Sequence, residues 1–252
     1  MKIHCKIVLV SILAWLLHLS PGHGQQDTAG SSRAIVLDLI YGAHVPGGDL
    51  KKRYGSNFHA GLGVSYISES GFSAGIRGSL LFGNQVKEDV LTSIRTPEGV
   101  LIGNDMEFAS IFLRQRGLLI HLEIGQLLRL NPYKNLRSGI QVAGGIGTLI
   151  HRIRIVDDYD SAIQIAGPYR RGYDRLTMGF SMSQFAGYRH IDPEGLLNFS
   201  IGVEAIQGFT RSLRKTNYNS PAMDSDLRSD LLFGIRLAWL LPFQLGRHTI
   251  FY

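Results

Sequence analysis

This sequence is poor in both cysteine and proline. It has a single cysteine, Cys5, and only eight prolines beside thirty glycines in 252 residues. One cysteine cannot form an intramolecular disulfide, which excludes a small disulfide-stapled scaffold. A glycine excess without matching proline is not the composition of a disordered chain, so the glycines need a structural explanation.

Long apolar runs are also scarce, and the clearest is at the start. Lys2 and Lys6 precede the run IVLVSILAWLLHL, and Gly22-His23-Gly24 supplies small residues three apart before Gln25. This pattern predicts a secretory signal peptide over 1–24, which contains Cys5 and is removed on export. We expect a polar leader at 25–32, one domain at 33–243 and a short tail at 244–252.

Basic residues do not gather into one stripe or helix. The formal charge of +6 falls by two to +4 when Lys2 and Lys6 are removed, and the remaining basic residues mark the ends of apolar segments. A nucleic-acid interface would concentrate them on one face. We therefore expect no nucleic-acid partner.

No segment after the signal shows a convincing 3.6-residue apolar stripe. Instead, large apolar residues recur at every second position, as in a strand with two different faces. Eight segments have this pattern: 33–44, 56–67, 72–83, 108–128, 139–155, 175–190, 196–210 and 229–243. Compact turns follow the second, fourth and sixth segments, and longer connections follow the first, third, fifth and seventh, including loops at 84–107, 156–174 and 211–228.

An even number of strands with short turns at one end and long loops at the other is typical of an outer-membrane barrel. A soluble barrel would alternate in the same way with its apolar face turned inward. The polar face favours the membrane form, because it is rich in glycine and serine, and a narrow lumen has room for only some side chains. Aromatic residues lie on the apolar face near strand ends, as in interfacial girdles: Tyr41, Phe58, Tyr66, Phe72, Phe82, Tyr188, Phe209, Phe233 and Phe243.

The predicted lumen face also carries charged residues of both signs: Asp38, Arg77, Glu123, Glu204 and Arg236. Neighbouring strands pair Arg77 with Glu123, and Arg236 with Glu204 and, if the barrel closes, with Asp38. Buried charges are costly unless they are paired. We expect an ion-pair network that plugs the lumen; a gated or proton-conducting lumen is the alternative.

The stretch 230–243, DLLFGIRLAWLLPF, tests this interpretation. As a helix it is about 14 residues, shorter than the roughly 20 that a bilayer requires, and Arg236 would lie at its centre. As a strand it separates into two faces. Leu231, Phe233, Ile235, Leu237, Trp239 and Leu241 face outward, and Asp230, Gly234, Arg236 and Ala238 face the lumen.

With these features the sequence resembles the small eight-stranded outer-membrane barrels of the OmpA, OmpX and PorT-like type, in particular those of Bacteroidota. The likeness covers 33–243; its most specific parts are 46–67, PGGDLKKRYGSNFHAGLGVSYI, and the last strand with Gly234, Leu237 and Trp239. Such barrels often end on that strand's aromatic residue, whereas QLGRHTIFY follows here. The resemblance implies an all-β fold with a single eight-stranded antiparallel transmembrane barrel, long extracellular loops, short periplasmic turns and a bacterial outer-membrane location. It implies little about activity.

A search for chemistry finds no strong motif. Ser65 and His59 share a face but lie about 20 Å apart at the strand rise, and His121 with Glu123 is the nearest approach to an acid–base pair. Metal-ligand spacings such as HxxxH and CxxC are missing, and the GxG runs lie inside strands. We expect no catalytic residues, no cofactor and no metal site.

Arginines mark the long-loop ends of four strands. A guanidinium group binds phosphate through two parallel hydrogen bonds. The outer leaflet beside these arginines would be lipopolysaccharide, which carries phosphate groups. The candidate phosphate contacts are Arg114, Arg116, Arg152, Arg154, Arg175 and Arg214. The alternative is ion pairing with nearby carboxylates such as Asp157 and Asp224, which would hold extended hairpins together.

The sequence therefore predicts a non-catalytic, monomeric outer-membrane barrel that works as a surface-exposed binding protein or as an accessory of envelope or secretion machinery. Its long loops would bind an unidentified extracellular or envelope protein, and lipopolysaccharide would surround it. A narrow pore and a lipid-modifying enzyme are the alternatives.

Overall fold

Eight antiparallel strands form a closed ring in the computed structural model, in which each strand pairs with the next and β8 returns to β1. The structure describes residues 33–104, 106–130, 138–159, 161–191, 197–214, 217–219, 224 and 226–245. The strands are β1 Arg33–Gly48, β2 Asn57–Ile67, β3 Phe72–Gly83, β4 Ile111–Arg129, β5 Gly139–Asp157, β6 Thr177–His190, β7 Phe199–Ser212 and β8 Arg228–Leu245. The expected all-β fold of eight strands is confirmed, and no strand end differs from its predicted segment by more than four residues.

The connections contain the few helical turns of the described chain. Helix α1, Leu50–Arg53, lies between β1 and β2, and 3-10 turns occupy Thr92–Ile94, Ile163–Ile165 and Gly167–Gly172. Among the described residues, no helix is long and apolar enough to cross a membrane. The proposed signal peptide, the polar leader and the end of the tail from 246 lie outside the described residues, and β8 extends two residues beyond the predicted domain boundary at 243.

The outer surface of the ring is apolar. On β8 the exposed side chains are Leu231, Phe233, Ile235, Leu237, Trp239 and Leu241, while Asp230, Arg236 and Ala238 are buried inside, as the alternation predicted. All nine aromatic residues that were expected on the outer face are exposed. A closed antiparallel barrel with an outward apolar band and aromatic residues at its margins is the architecture of membrane barrels.

The interior is layered along the barrel axis. At the short-turn end, inward apolar side chains form one buried cluster: Ala34, Val36, Ile40, Ile67, Ile191, Ala238 and Leu240. The middle is polar and charged. At the long-loop end, inward strand residues such as Leu119 and Ile153 pack with loop residues such as Leu101 and Ile165 in a second apolar cluster. The charged layer thus lies between two apolar layers, a division that the sequence analysis did not predict.

Two lumen glycines show why the polar face is poor in large side chains. A Cβ at Gly145 would lie 2.6 Å from Ser183 Oγ and 2.9 Å from Glu123 Cγ, and one at Gly42 would lie 2.0 Å from His59 Nε2. Real Cβ atoms do not approach other heavy atoms so closely. Glycine at these positions provides the room for the charged and aromatic side chains of neighbouring strands.

A charge placed on the outer band tests whether this surface faces lipid. Leu122, near the middle of β4, is 58% exposed, and Leu130, just beyond the strand, is 65% exposed. We expect Leu122→Arg to lower the free energy of unfolding in lipid vesicles by about 2–4 kcal/mol and Leu130→Arg by about 0–1 kcal/mol. Urea titrations of the folded fraction measure both. Equal, small effects at the two positions would indicate a water-exposed surface.

Candidate functional site: the lumen network and the long-loop surface

Four charged side chains from four strands meet in the middle of the lumen. Arg77 on β3 lies 2.8 Å from Glu123 of β4 and 2.5 Å from Glu204 of β7. Arg236 on β8 contacts the same two carboxylates, at 3.1 Å and 3.0 Å. The order Arg77, Glu123, Arg236, Glu204 therefore forms an alternating ring, referred to below as the lumen ring, in which every charge has two partners of opposite sign.

The lumen ring crosses the barrel as well as linking neighbouring strands. Arg77 and Glu204 belong to β3 and β7, on opposite sides of the eight-stranded ring, and their contact is possible because the lumen is narrow. The guanidinium of Arg236 also lies over the ring of Phe185, with its Cζ 3.8 Å from the centroid. This cation–π contact gives the guanidinium an attractive partner above its plane, where it has no N–H to donate.

The fifth residue predicted for this network, Asp38, pairs differently. Its nearest cation is Arg189 of β6, at 3.7 Å. The pairing register explains the difference: Arg236 lies opposite Gly42 on β1, four residues along the strand from Asp38. The expected contact between Asp38 and Arg236 is therefore wrong. The sequence analysis also missed Arg189 as a lumen residue, although Arg189 lies on the same inward face of β6 as the buried Thr177.

The candidate acid–base pair does not come together as a catalytic pair. His121 is fully buried and its Nε2 lies 2.9 Å from Ser181 Oγ, across the lumen face of β4 and β6. Glu123 is held by both arginines of the lumen ring. Ser65 contacts Asp38 at 3.5 Å, and His59 lies elsewhere, stacked on His44. These contacts are those of packed polar side chains in a closed lumen.

A second group of ion pairs ties the long loops to the barrel rim. Glu88, in the loop after β3, accepts from Arg53 of α1 at 2.6 Å and from Arg175 at 2.7 Å. Burial alone would raise the pKa of Glu88, but the two guanidiniums outweigh it and hold that pKa below its usual value. Three connections are thereby fixed to one another through a single carboxylate.

Two of the six candidate phosphate-binding arginines belong to such pairs. Arg175 is bound to Glu88, and Arg214 contacts Asp174 through two nitrogens, at 2.8 Å and 2.5 Å. In the structure these two guanidiniums form the ion pairs of the alternative interpretation. Phosphate contacts at Arg175 and Arg214 stay a prediction.

The other four arginines form what is called here the arginine ladder. Arg114 lies directly opposite Arg154, and Arg116 directly opposite Arg152, on the outer face of β4 and β5. Like charges in opposed positions destabilise a strand pair. Within the described residues none of the four forms a salt bridge. Arg116 and Arg152 lie two residues beyond the lipid-facing Leu118 and Ile150, on the same faces of their strands and towards the long loops.

The long-loop end also exposes a group of apolar side chains, called here the loop patch: Ile102, Met106, Phe108, Tyr159 and Ile163. Its two loops are tied together, because Asn104 N donates to Ser161 O at 2.7 Å and Ile163 N donates to Asn104 Oδ1 at 3.2 Å. Met106 is 90% exposed and Phe108 76% exposed. The patch is therefore exposed apolar surface on two loops that are hydrogen-bonded to each other.

Comparisons with known proteins give limited information. No protein-family profile matches the chain, and no curated protein matches it. Among solved structures, Ail of Yersinia pestis in complex with the heparin analogue sucrose octasulfate is 12% identical, covers 83% of this chain and 99% of its own, and has a TM-score of 0.38. Neisserial surface protein A is 10% identical, with coverages of 85% and 99% and a TM-score of 0.37. OprG, an outer-membrane protein of Pseudomonas aeruginosa, is 12% identical, with coverages of 83% and 96% and a TM-score of 0.32. At these identities and scores the three proteins say nothing about the activity of this one.

Removal of one arginine from the lumen ring tests its energetic role. Arg236→Ala leaves Glu123 and Glu204 with Arg77 as their shared guanidinium partner, and we expect the free energy of unfolding to fall by about 3–5 kcal/mol. Urea unfolding in lipid vesicles measures this loss. As a matched control, Arg33→Ala breaks the exposed contact with Glu69 and should cost no more than about 1 kcal/mol. A loss at position 236 no larger than that of the control would contradict the assigned role.

Proposed function

We propose that this protein is a non-catalytic bacterial outer-membrane barrel, exported by its signal peptide, that binds a protein partner through its long loops. The loop patch is the observation that carries the proposal. An apolar surface exposed on hydrogen-bonded loops, as at Phe108 and Ile163, is a feature that commonly marks an interaction site. The outward apolar band of the barrel supports the location in a membrane.

The layered lumen favours binding over transport. A continuous pore needs a wetted path, whereas here the lumen ring lies between two apolar clusters, one at each end. The buried position of His121 and the double pairing of Glu123 likewise give no support to a lipid-modifying activity. The barrel then acts as a membrane anchor, and the loops carry the specificity. A single chain closes the ring, which is consistent with a monomer.

Site-specific crosslinking in living cells tests the partner proposal. A photoreactive amino acid at Phe108 or Ile163 should give the same discrete protein adduct, since both positions belong to the loop patch. The control position, Tyr66, is exposed on the outer face near the short-turn end and should not give that adduct. Substitution of Met106 by Asp should reduce the adduct at 108 at least tenfold. A folded barrel with no adduct at either loop position would refute the proposal.

We further propose that the arginine ladder holds phosphate groups of lipopolysaccharide. Four guanidiniums in two opposed pairs repel each other, and a dianionic phosphate between them removes this repulsion while forming charge-assisted hydrogen bonds. Their position beside the lipid-facing Leu118 and Ile150 is where lipid headgroups would begin.

The ladder predicts a phosphate-dependent preference among lipids. Replacement of Arg114, Arg116, Arg152 and Arg154 by Gln should weaken lipopolysaccharide binding to the detergent-solubilised barrel at least tenfold, because each lost contact with a charged group is worth about 1.5–3 kcal/mol. Native mass spectrometry measures the bound lipid. Arg170→Gln with Arg171→Gln, two arginines outside the ladder, serves as the control. Dephosphorylated lipopolysaccharide that binds the wild type as strongly as the intact lipid would contradict phosphate recognition.

A further inference from the structure

Two histidines and one carboxylate lie together at the edge of the lumen ring. His44 of β1, His59 of β2 and Glu204 of β7 are each 1% exposed. The two imidazole rings stack with centroids 4.5 Å apart and an interplanar angle of 3°. One ligand atom from each residue can be chosen so that all three lie within 4.8 Å of one another. The motif search did not find this cluster, because its members are 15 and 145 residues apart in sequence.

The histidines of this cluster are incompletely satisfied. Neither ring nitrogen of His59 has a hydrogen-bond partner among the described residues, and His44 Nδ1 also lacks one there. Glu204 Oε2 lies 3.6 Å from His59 Nε2, which is beyond hydrogen-bonding distance. A buried polar group without a partner is energetically unfavourable. A bound ligand between these atoms would remove that penalty.

We propose that His44, His59 and Glu204 form a site for a zinc-class transition-metal ion. The ligand atoms are the Nε2 atoms of both histidines and Glu204 Oε2, and the two nitrogens lie 3.1 Å and 3.6 Å from that oxygen. Tetrahedral zinc with bonds of about 2.0–2.1 Å places its ligand atoms about 3.3 Å apart. These two separations fall on either side of this value, but the two rings are parallel, so one imidazole must rotate about its Cβ–Cγ bond before both nitrogens direct a lone pair at one ion. A water molecule would supply the fourth ligand.

Glu204 is oriented for this role by its other oxygen. Oε1 accepts from Arg77 at 2.5 Å and from Arg236 at 3.0 Å, which leaves Oε2 directed at the histidines. Such outer contacts fix the ligand carboxylate. The same guanidiniums repel any cation. An ion that is held mainly by negatively charged oxygens, such as Mg²⁺ or Ca²⁺, therefore gains little from a site with one carboxylate. Zinc and its neighbours in the first transition series form stronger bonds to imidazole, and these ions are the ones that the site favours.

Glycines give the three ligands access to one another. Gly234 of β8 lies opposite both His44 and Glu204, so the two side chains meet above a position without a side chain. Gly42 lies opposite His59, and a Cβ there would be 2.0 Å from His59 Nε2. In the structure His44 Nε2 donates to Glu204 Oε2 at 3.1 Å. The metal ion takes the place of that proton, which moves to Nδ1 or leaves to solvent.

The test uses the folded full-length mature chain in detergent, first treated with a chelator and then given Zn²⁺ alone. We expect one zinc per chain after gel filtration, measured by elemental analysis. His44→Gln and His59→Asn should each lower the affinity at least tenfold. His121→Asn, a change in another buried lumen histidine that bonds Ser181, is the matched control and should retain one zinc. Co²⁺ in place of Zn²⁺ should give the intense visible absorption of a four-coordinate site.

Migration in SDS gels before and after boiling establishes that each variant is folded. If a histidine variant fails to fold, Gly42→Ala replaces it in the test, because the added Cβ displaces the His59 ring and should lower the zinc affinity. The proposal is overturned if the wild type retains no zinc. It is also overturned if folded His44→Gln retains as much zinc as the wild type, or if folded His121→Asn loses it to the same extent as the cluster variants. The readout does not depend on the loop patch, so it is independent of the proposed partner.

Discussion

The alternating ring of Arg77, Glu123, Arg236 and Glu204 is the interaction on which the rest of the interior depends. Each of these charges is largely removed from water, and an isolated charge in such a place is very unfavourable. Mutual pairing makes their presence tolerable only when all four strands that carry them are in place. The ring therefore requires one register for β3, β4, β7 and β8, and it links opposite sides of the barrel as well as adjacent strands.

The apolar clusters above and below the ring strengthen this dependence. Apolar side chains lie at both ends of the charged layer, and pairing between buried charges is electrostatically stronger where the local dielectric is low. The long loops contribute to the upper cluster through residues such as Leu101 and Ile165, and Glu88 fixes them to Arg53 and Arg175. The outer surface of the loops is held in place by the same packing that closes the lumen.

The alternation of apolar and polar residues was sufficient to predict the fold. A period of two assigns each residue to one face of a strand, and the turn sequences show where one strand ends and the next begins. It placed Arg236 inside and Trp239 outside correctly. It could not predict which charges meet, since contact across a narrow barrel depends on register and stagger. Asp38 therefore pairs with Arg189, and Arg77 reaches Glu204 across the lumen. His44 and His59 have the right alternation for the lumen, but their meeting with Glu204 depends on glycines in neighbouring strands.

The pairing of β1 with β8 has a consequence for how the chain folds. Arg33 lies opposite Leu245, so the ring closes by joining segments at opposite ends of the described sequence. Until that happens, β1 and β8 each present a row of unpaired backbone donors and acceptors, and such edges readily join strands of other molecules. Both edges stay unpaired until β1 and β8 meet. Protection of these two edges against intermolecular pairing is therefore a requirement of biogenesis, and it ends when the last strand meets the first.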